Sequence, residues 1–132
     1  MVGALIANGD HAAAHVRAAR LCDLAAQTDE RSWQALAWEA RARAALACGE
    51  ESEAMADVAK ALAACDGVEV PLAEWRVHAT SAKVHKAAGD VRQARAHGRL
   101  GAAVRRRLAS TLPEGGPLRS TFERRSGALA AV

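Results

Sequence analysis

The segment Ala47-Cys48-Gly49-Glu50-Glu51-Ser52-Glu53-Ala54 decides the fold of this chain. A glycine readily adopts the left-handed backbone that ends a helix, and an acidic residue beside it caps the helix that follows. An alanine four residues after the acid allows two helices to approach closely. The same signals lie forty residues away on either side, as Ala7-Asn8-Gly9-Asp10 with Ala14 and as Ala87-Ala88-Gly89-Asp90 with Ala94. This recurrence predicts a stack of helical hairpins.

The hydrophobic pattern between these bends predicts an all-α chain. Apolar residues recur at intervals of three and four, and no segment alternates as a strand does. We expect helices at 2–8, 10–27, 30–48, 51–66, 71–88, 91–112 and 117–130. The repeat array spans 1–112, with a partial first repeat at 1–27, a second at 30–66 and a third at 71–112. The proline- and glycine-rich segment 113–117 predicts a linker before a C-terminal capping helix at 118–132.

The middle repeat resembles a tetratricopeptide repeat. Trp38, Gly49, Ala54 and the segment Lys60-Ala61-Leu62 stand at the offsets where that family has its aromatic, turn, small and Ala-Leu positions. The resemblance implies a right-handed α-α superhelix of about 2.5 antiparallel helix pairs that binds other proteins. The period of 40 is longer than the usual repeat of about 34, and HEAT-like repeats are the structural alternative.

The end of the chain resembles the ends of tetratricopeptide-like regions in large bacterial signalling proteins. The similarity consists of Pro71-Leu72-Ala73-Glu74-Trp75-Arg76, an arginine-rich helix to Leu112, and Leu118-Arg119 followed by Phe122. It implies a regulatory setting in bacterial signalling or transcription control.

The resemblance also implies which residues line the inner, partner-binding face. On that face the first helix of each pair would present a mostly basic wall suited to an acidic protein or peptide. A solvated charged face is the alternative. Neither inner helix has the Asn of the family's carboxylate clamp. The implied inner-face residues are Leu36, Glu39, Arg43, Leu46, Arg76, Ala79, Lys83 and Lys86.

The last long helix is rich in arginine, which suggests contact with nucleic acid or with acidic groups. The chain has three Trp, one Phe and no Tyr, so it offers few side chains for stacking on bases, and it has no recognised nucleic-acid motif. We therefore rank a nucleic-acid-associated regulator second to a protein-binding module. The candidate residues are Arg92, Arg95, Arg99, Arg105, Arg106 and Arg107, and Arg124 and Arg125 are similarly ambiguous.

Charge divides the chain into two unlike parts. Residues 1–74 carry 6 Lys and Arg against 12 Asp and Glu, a net charge of −6, whereas residues 75–132 carry a net charge of +9. The resemblance also implies that the array begins in mid-repeat, so its first hairpin is expected to leave an apolar edge uncovered. These two features favour self-association through the N-terminal edge as a third possibility.

The remaining candidate sites favour structural interpretations. His11 and His15 lie one helical turn apart without a third metal ligand at a telling distance, so we expect no metal site. His78 and His85 lie two turns apart at core positions, which predicts burial and a loss of stability in acid. Cys22, Cys48 and Cys65 are expected to be small core residues, although Cys48 beside a helix start is a candidate reactive thiol.

The motifs of catalysis, cofactor binding and membrane insertion are missing from the sequence. It has neither a phosphate-binding glycine loop nor a nucleophile elbow, so we expect no enzyme and no cofactor. No apolar run approaches the roughly 20 residues that span a bilayer, and Met1 to Ala7 is too short for a signal peptide. We expect a cytoplasmic protein that does not bind membranes.

Overall fold

The computed structural model describes residues 1–131, and these residues form seven α-helices without a strand. The all-α prediction is therefore confirmed. The first and last residues of each predicted helix lie within two residues of the observed bounds. The helices are α1 (Val2–Ala7), α2 (His11–Ala25), α3 (Arg31–Ala47), α4 (Glu51–Cys65), α5 (Pro71–Ala87), α6 (Val91–Ser110) and α7 (Pro117–Ala131).

The three repeated glycines form three equivalent bends, as predicted. Gly9, Gly49 and Gly89 have φ values of 79°, 81° and 80°. In each bend the glycine N–H bonds to the carbonyl three residues earlier, and the next N–H bonds to the carbonyl five residues earlier. This pattern satisfies the free carbonyls at the helix end. The acid that follows caps the next helix in two cases, because the side chains of Asp10 and Asp90 accept the N–H of Ala13 and Gln93.

The helices pack in a regular order. Each helix contacts the next one along the chain. In addition, α1 contacts α3, α3 contacts α5, and α5 contacts α7. The odd-numbered helices therefore lie side by side, with α2, α4 and α6 packed on them as their hairpin partners. Helix α7 begins at Pro117, a residue that the predicted linker included.

Alanine dominates the core and brings the helices close together. One cluster joins Ala42, Ala45, Ala54, Val58 and Val84 across α3, α4 and α5. Burying alanine removes little apolar area from water, so stability depends on the fit of many small contacts. Among residues 1–131, no helix has the length and apolarity needed to cross a membrane.

The first helix is short, and apolar side chains of its neighbour α2 are exposed. Helix α1 has six residues, and its Val2 is buried against α2 and α3. On α2, Val16 is 70% exposed and Leu24 is 43% exposed. An apolar edge is therefore uncovered at this end of the array.

Candidate functional site

A groove of about 510 Å³ lies on the face formed by the odd-numbered helices. It lies between α1, α3 and α5 and is closed at one side by the last turn of α7. Two cations, Arg43 and Lys83, line it together with the hydroxyl-bearing Thr80. We call this cavity the groove, and its apolar wall comprises Gly3, Ile6, Ala7, Leu46, Ala47 and Leu129.

A buried carboxylate holds one of these cations in place. Glu39 is 3% exposed, and its Oε1 lies 2.7 Å from Arg43 Nε and accepts the hydroxyl of Thr80 at 2.7 Å. Because both oxygens of Glu39 are held from within, its carboxylate is not presented to a partner as the inner-face prediction implied. Its role in this position is to orient Arg43 toward the groove.

The second cation lies at the boundary between the groove and α7. Lys83 Nζ donates to the carbonyl oxygen of Leu129 at 2.9 Å. Burial lowers the pKa of Lys83, the positive charge of Arg43 lowers it further, and Glu39 partly opposes both effects. Arg43 and Lys83 thus share one nearby carboxylate, which leaves this end of the groove positive.

A smaller crevice of about 50 Å³ continues the groove along α5. It shares Arg43, Thr80, Lys83 and Leu129 with the groove, so the two cavities adjoin at these four residues. Its other lining residues are Glu39, Trp75, Arg76 and Ala79.

The structure therefore brings six of the eight predicted inner-face residues to these two adjoining cavities. Lys86 lines a third cavity, between α5, α6 and Ala130 of α7. Leu36 lies in none of these cavities and packs against the buried cluster of Ala35, Ala61 and Val77. Sequence reasoning missed Ile6, Thr80 and Leu129, because their positions depend on how separate helices are stacked.

The arginines of α6 do not form a single patch. Arg92, Arg95, Arg99 and Arg106 are exposed at helical spacings of three, four and seven residues, which place them on one side of the helix. Arg105 instead points toward α7 and lines the crevices on both sides of it. Arg107 is exposed and lies 3.7 Å from Glu74 of α5.

Three of the five histidines meet between α5 and α6. His78 Nδ1 lies 3.0 Å from His97 Nδ1, and the ring of His85 stacks on that of His97 with centroids 5.3 Å apart. The predicted burial is confirmed, since His78 is buried and His85 half-buried. Gly101 makes this close approach possible, because a Cβ there would lie 3.2 Å from Cβ of His78. His97 was missed by sequence reasoning, although it lies eight residues after the Gly89 bend on the opposing helix.

Acidification is expected to destabilise the protein through this histidine cluster. Burial lowers the pKa of His78, and burial together with the other two histidines lowers the pKa of His97. The unfolded chain therefore binds more protons than the folded chain below a pH of about 6.5, and stability falls as the pH drops toward the folded pKa values. Urea unfolding at a series of pH values should show this loss, and it should shrink in the variant His78→Gln/His97→Gln. Imidazole resonances of His78 and His97 titrating at or above the ordinary pKa would contradict the prediction.

The other sequence candidates have internal partners or lack a site. His15 Nε2 lies 3.2 Å from Glu53 of α4, and residues 1–131 contain no group of three His, Cys, Asp or Glu side chains arranged to hold a metal.

Burial raises the pKa of Cys22 to about 11 and also raises that of Cys65, which disfavours the thiolate. Cys48 is exposed at the end of α3, so the prediction of a core residue is wrong for this position. It lies at the helix end because the chain turns there at Gly49.

Comparison with known proteins found no match to this chain among protein-family models, curated proteins or solved structures. The functional argument therefore depends on the geometry of the groove.

Proposed function

We propose that this chain is a non-enzymatic protein-interaction module of tetratricopeptide-like type that binds an acidic helical segment of a partner in the groove. In this proposal the helix pairs form a right-handed superhelix of about 2.5 repeats closed by α7. The observation that carries it is one groove that combines an apolar wall with a pair of cations, Arg43 and Lys83. The resemblance of the chain's ending to bacterial regulators supports a regulatory setting.

The chemistry of the groove selects the class of partner. Leu46 and Ile6 provide contacts for apolar side chains of an amphipathic helix. A carboxylate of that helix would accept charge-assisted hydrogen bonds from Arg43 or Lys83, which are stronger than neutral ones. A basic partner would instead bring a third positive charge next to Arg43 and Lys83, whose two charges are compensated by the single carboxylate of Glu39.

The proposal predicts binding of an acidic amphipathic peptide. The probe is a fluorescent peptide of about 18 residues containing Leu at helical spacing with flanking Glu residues, and the control probe has Gln in place of Glu. We expect the Glu peptide to bind more tightly than the Gln peptide in fluorescence anisotropy. Lys83→Glu should weaken binding about tenfold, a ratio equivalent to about 1.4 kcal/mol.

The matched control is Arg20→Glu, which makes the same change of charge at an exposed position of α2 outside the groove. It should alter affinity much less than Lys83→Glu. Equal losses in the two variants would mean that the peptide senses only overall charge, and the proposed site would then be wrong.

The arginine row of α6 supports nucleic-acid association as the second candidate function. Arg92, Arg95, Arg99 and Arg106 are exposed on one side of that helix. Phosphate contacts of this kind weaken steeply with salt. Two results together would favour this candidate over the groove. The protein would bind duplex DNA at low salt and lose that binding in the variant Arg95→Glu/Arg99→Glu, and it would not bind the acidic peptide.

A further inference from the structure

Helix α7 docks on the array through an unusually weak contact. Among residues 117–130 the one buried side chain is that of Ser126, so no apolar side chain of the helix is fully buried there. Open crevices of about 270 and 340 Å³ flank the helix, and Phe122 is only half-buried in the second. Gaps of this kind remove the dispersion contacts that would hold the helix tightly.

The end of this weakly held helix occupies the positive end of the groove. Leu129 lines both the groove and the crevice along α5, and its carbonyl accepts the hydrogen bond of Lys83. Carbonyls in the last turn of a helix carry partial negative charge and lack intrahelical partners. The last turn of α7 therefore gives Lys83 a hydrogen-bond acceptor with a partial negative charge. An acidic partner would give it a carboxylate with a full negative charge.

We propose that α7 is a built-in competitor for the groove, and that an acidic partner helix displaces it, beginning with its last turn. This inference rests on the proposed function and adds regulation of the same site. Removal of Leu129 frees Lys83 from its carbonyl and takes away a side chain that borders both the groove and the crevice along α5. An isolated helix as short as α7 is marginal in water, so release also unfolds it.

Two substitutions in α7 should change peptide affinity in opposite directions. Phe122→Ala removes the largest side chain at the contact with α6, and we expect it to tighten binding of the Glu peptide about threefold or more. Gly127→Ala favours the helical, docked form, and its new Cβ meets only Arg105 Nη1, at 3.7 Å. We expect this variant to weaken binding by a similar factor.

The control within the same helix is Leu118→Ala, whose side chain is 69% exposed and should leave affinity unchanged. Hydrogen exchange gives an independent measurement on the unmodified protein. Peptide binding should speed amide exchange in residues 117–130 while slowing it in α3 and α5.

The outcomes separate this inference from the proposed function. Peptide binding with unchanged exchange in α7, and with equal affinities in the Phe122 and Gly127 variants, would overturn the competitor role and leave the groove assignment intact. Absence of peptide binding to the unmodified protein and to both variants would overturn the proposed function and this inference with it.

Discussion

Replacing Ala54 by leucine is expected to destabilise the protein by about 3 kcal/mol, at the upper end of the usual cost of overpacking a core. Ala54 is fully buried in the cluster that joins α3, α4 and α5. Three extra carbon atoms fit there only if the helices move apart, and that movement would disturb the contacts of Val58 and Val84. Urea unfolding followed by circular dichroism measures the change.

The repeat provides its own control at the equivalent position of the next hairpin. Ala94 follows Asp90 as Ala54 follows Glu50, but Ala94 is only half-buried. Ala94→Leu is therefore expected to change stability by less than about 0.5 kcal/mol, as surface substitutions usually do. Equal losses at the two positions would contradict the stacking order of the hairpins.

Replacing Arg41 by methionine is expected to destabilise the protein by about 3 kcal/mol, because it removes the cation beside a buried acid. Asp57 is 1% exposed, and its Oδ2 lies 3.4 Å from Arg41 Nε. Burial raises the pKa of Asp57, and the charge of Arg41 opposes that rise. Arg41 also pairs with Glu53, so the change removes a cation that two carboxylates share. Chemical denaturation at neutral pH measures the loss.

The double variant Arg41→Met/Asp57→Asn tests this explanation. Removing the buried charge together with its partner should restore part of the stability, since a neutral amide costs less to bury than an unpaired carboxylate. Arg20→Met, at an exposed position on α2, is the control and should be nearly neutral. A double variant no more stable than Arg41→Met would show that packing of the arginine stem, rather than its charge, is what matters.

Much of the local structure follows from short stretches of residues. The bend at Gly49 depends on one left-handed residue between an alanine-rich helix end and an acid, and these signals lie within a few consecutive positions. The same reasoning placed the bends at Gly9 and Gly89 and the helices between them. The resemblance to tetratricopeptide repeats, rather than spacing alone, implied that Arg43, Leu46 and Lys83 lie on the inner face.

The contacts that define the candidate site join residues far apart in the chain. Thr80 bonds to Glu39 across 41 positions, and Lys83 bonds to Leu129 across 46. The resemblance to the repeat family implied a partner-facing position for Glu39, because a family position indicates the direction of a side chain without showing what covers it. In the folded chain, α5 covers Glu39.

Residues near one another in sequence are therefore sufficient to predict seven helices and three matching bends, because backbone conformation at a bend depends on local sterics and hydrogen bonds. The return of α7 onto α5, the meeting of His97 with His78 and the placement of Arg43 and Lys83 in one groove were decided only by the stacking of the hairpins. Alanine-rich faces have few large side chains to specify how one helix lies on the next. The relative positions of these residues thus emerge from the packing of all the helices together.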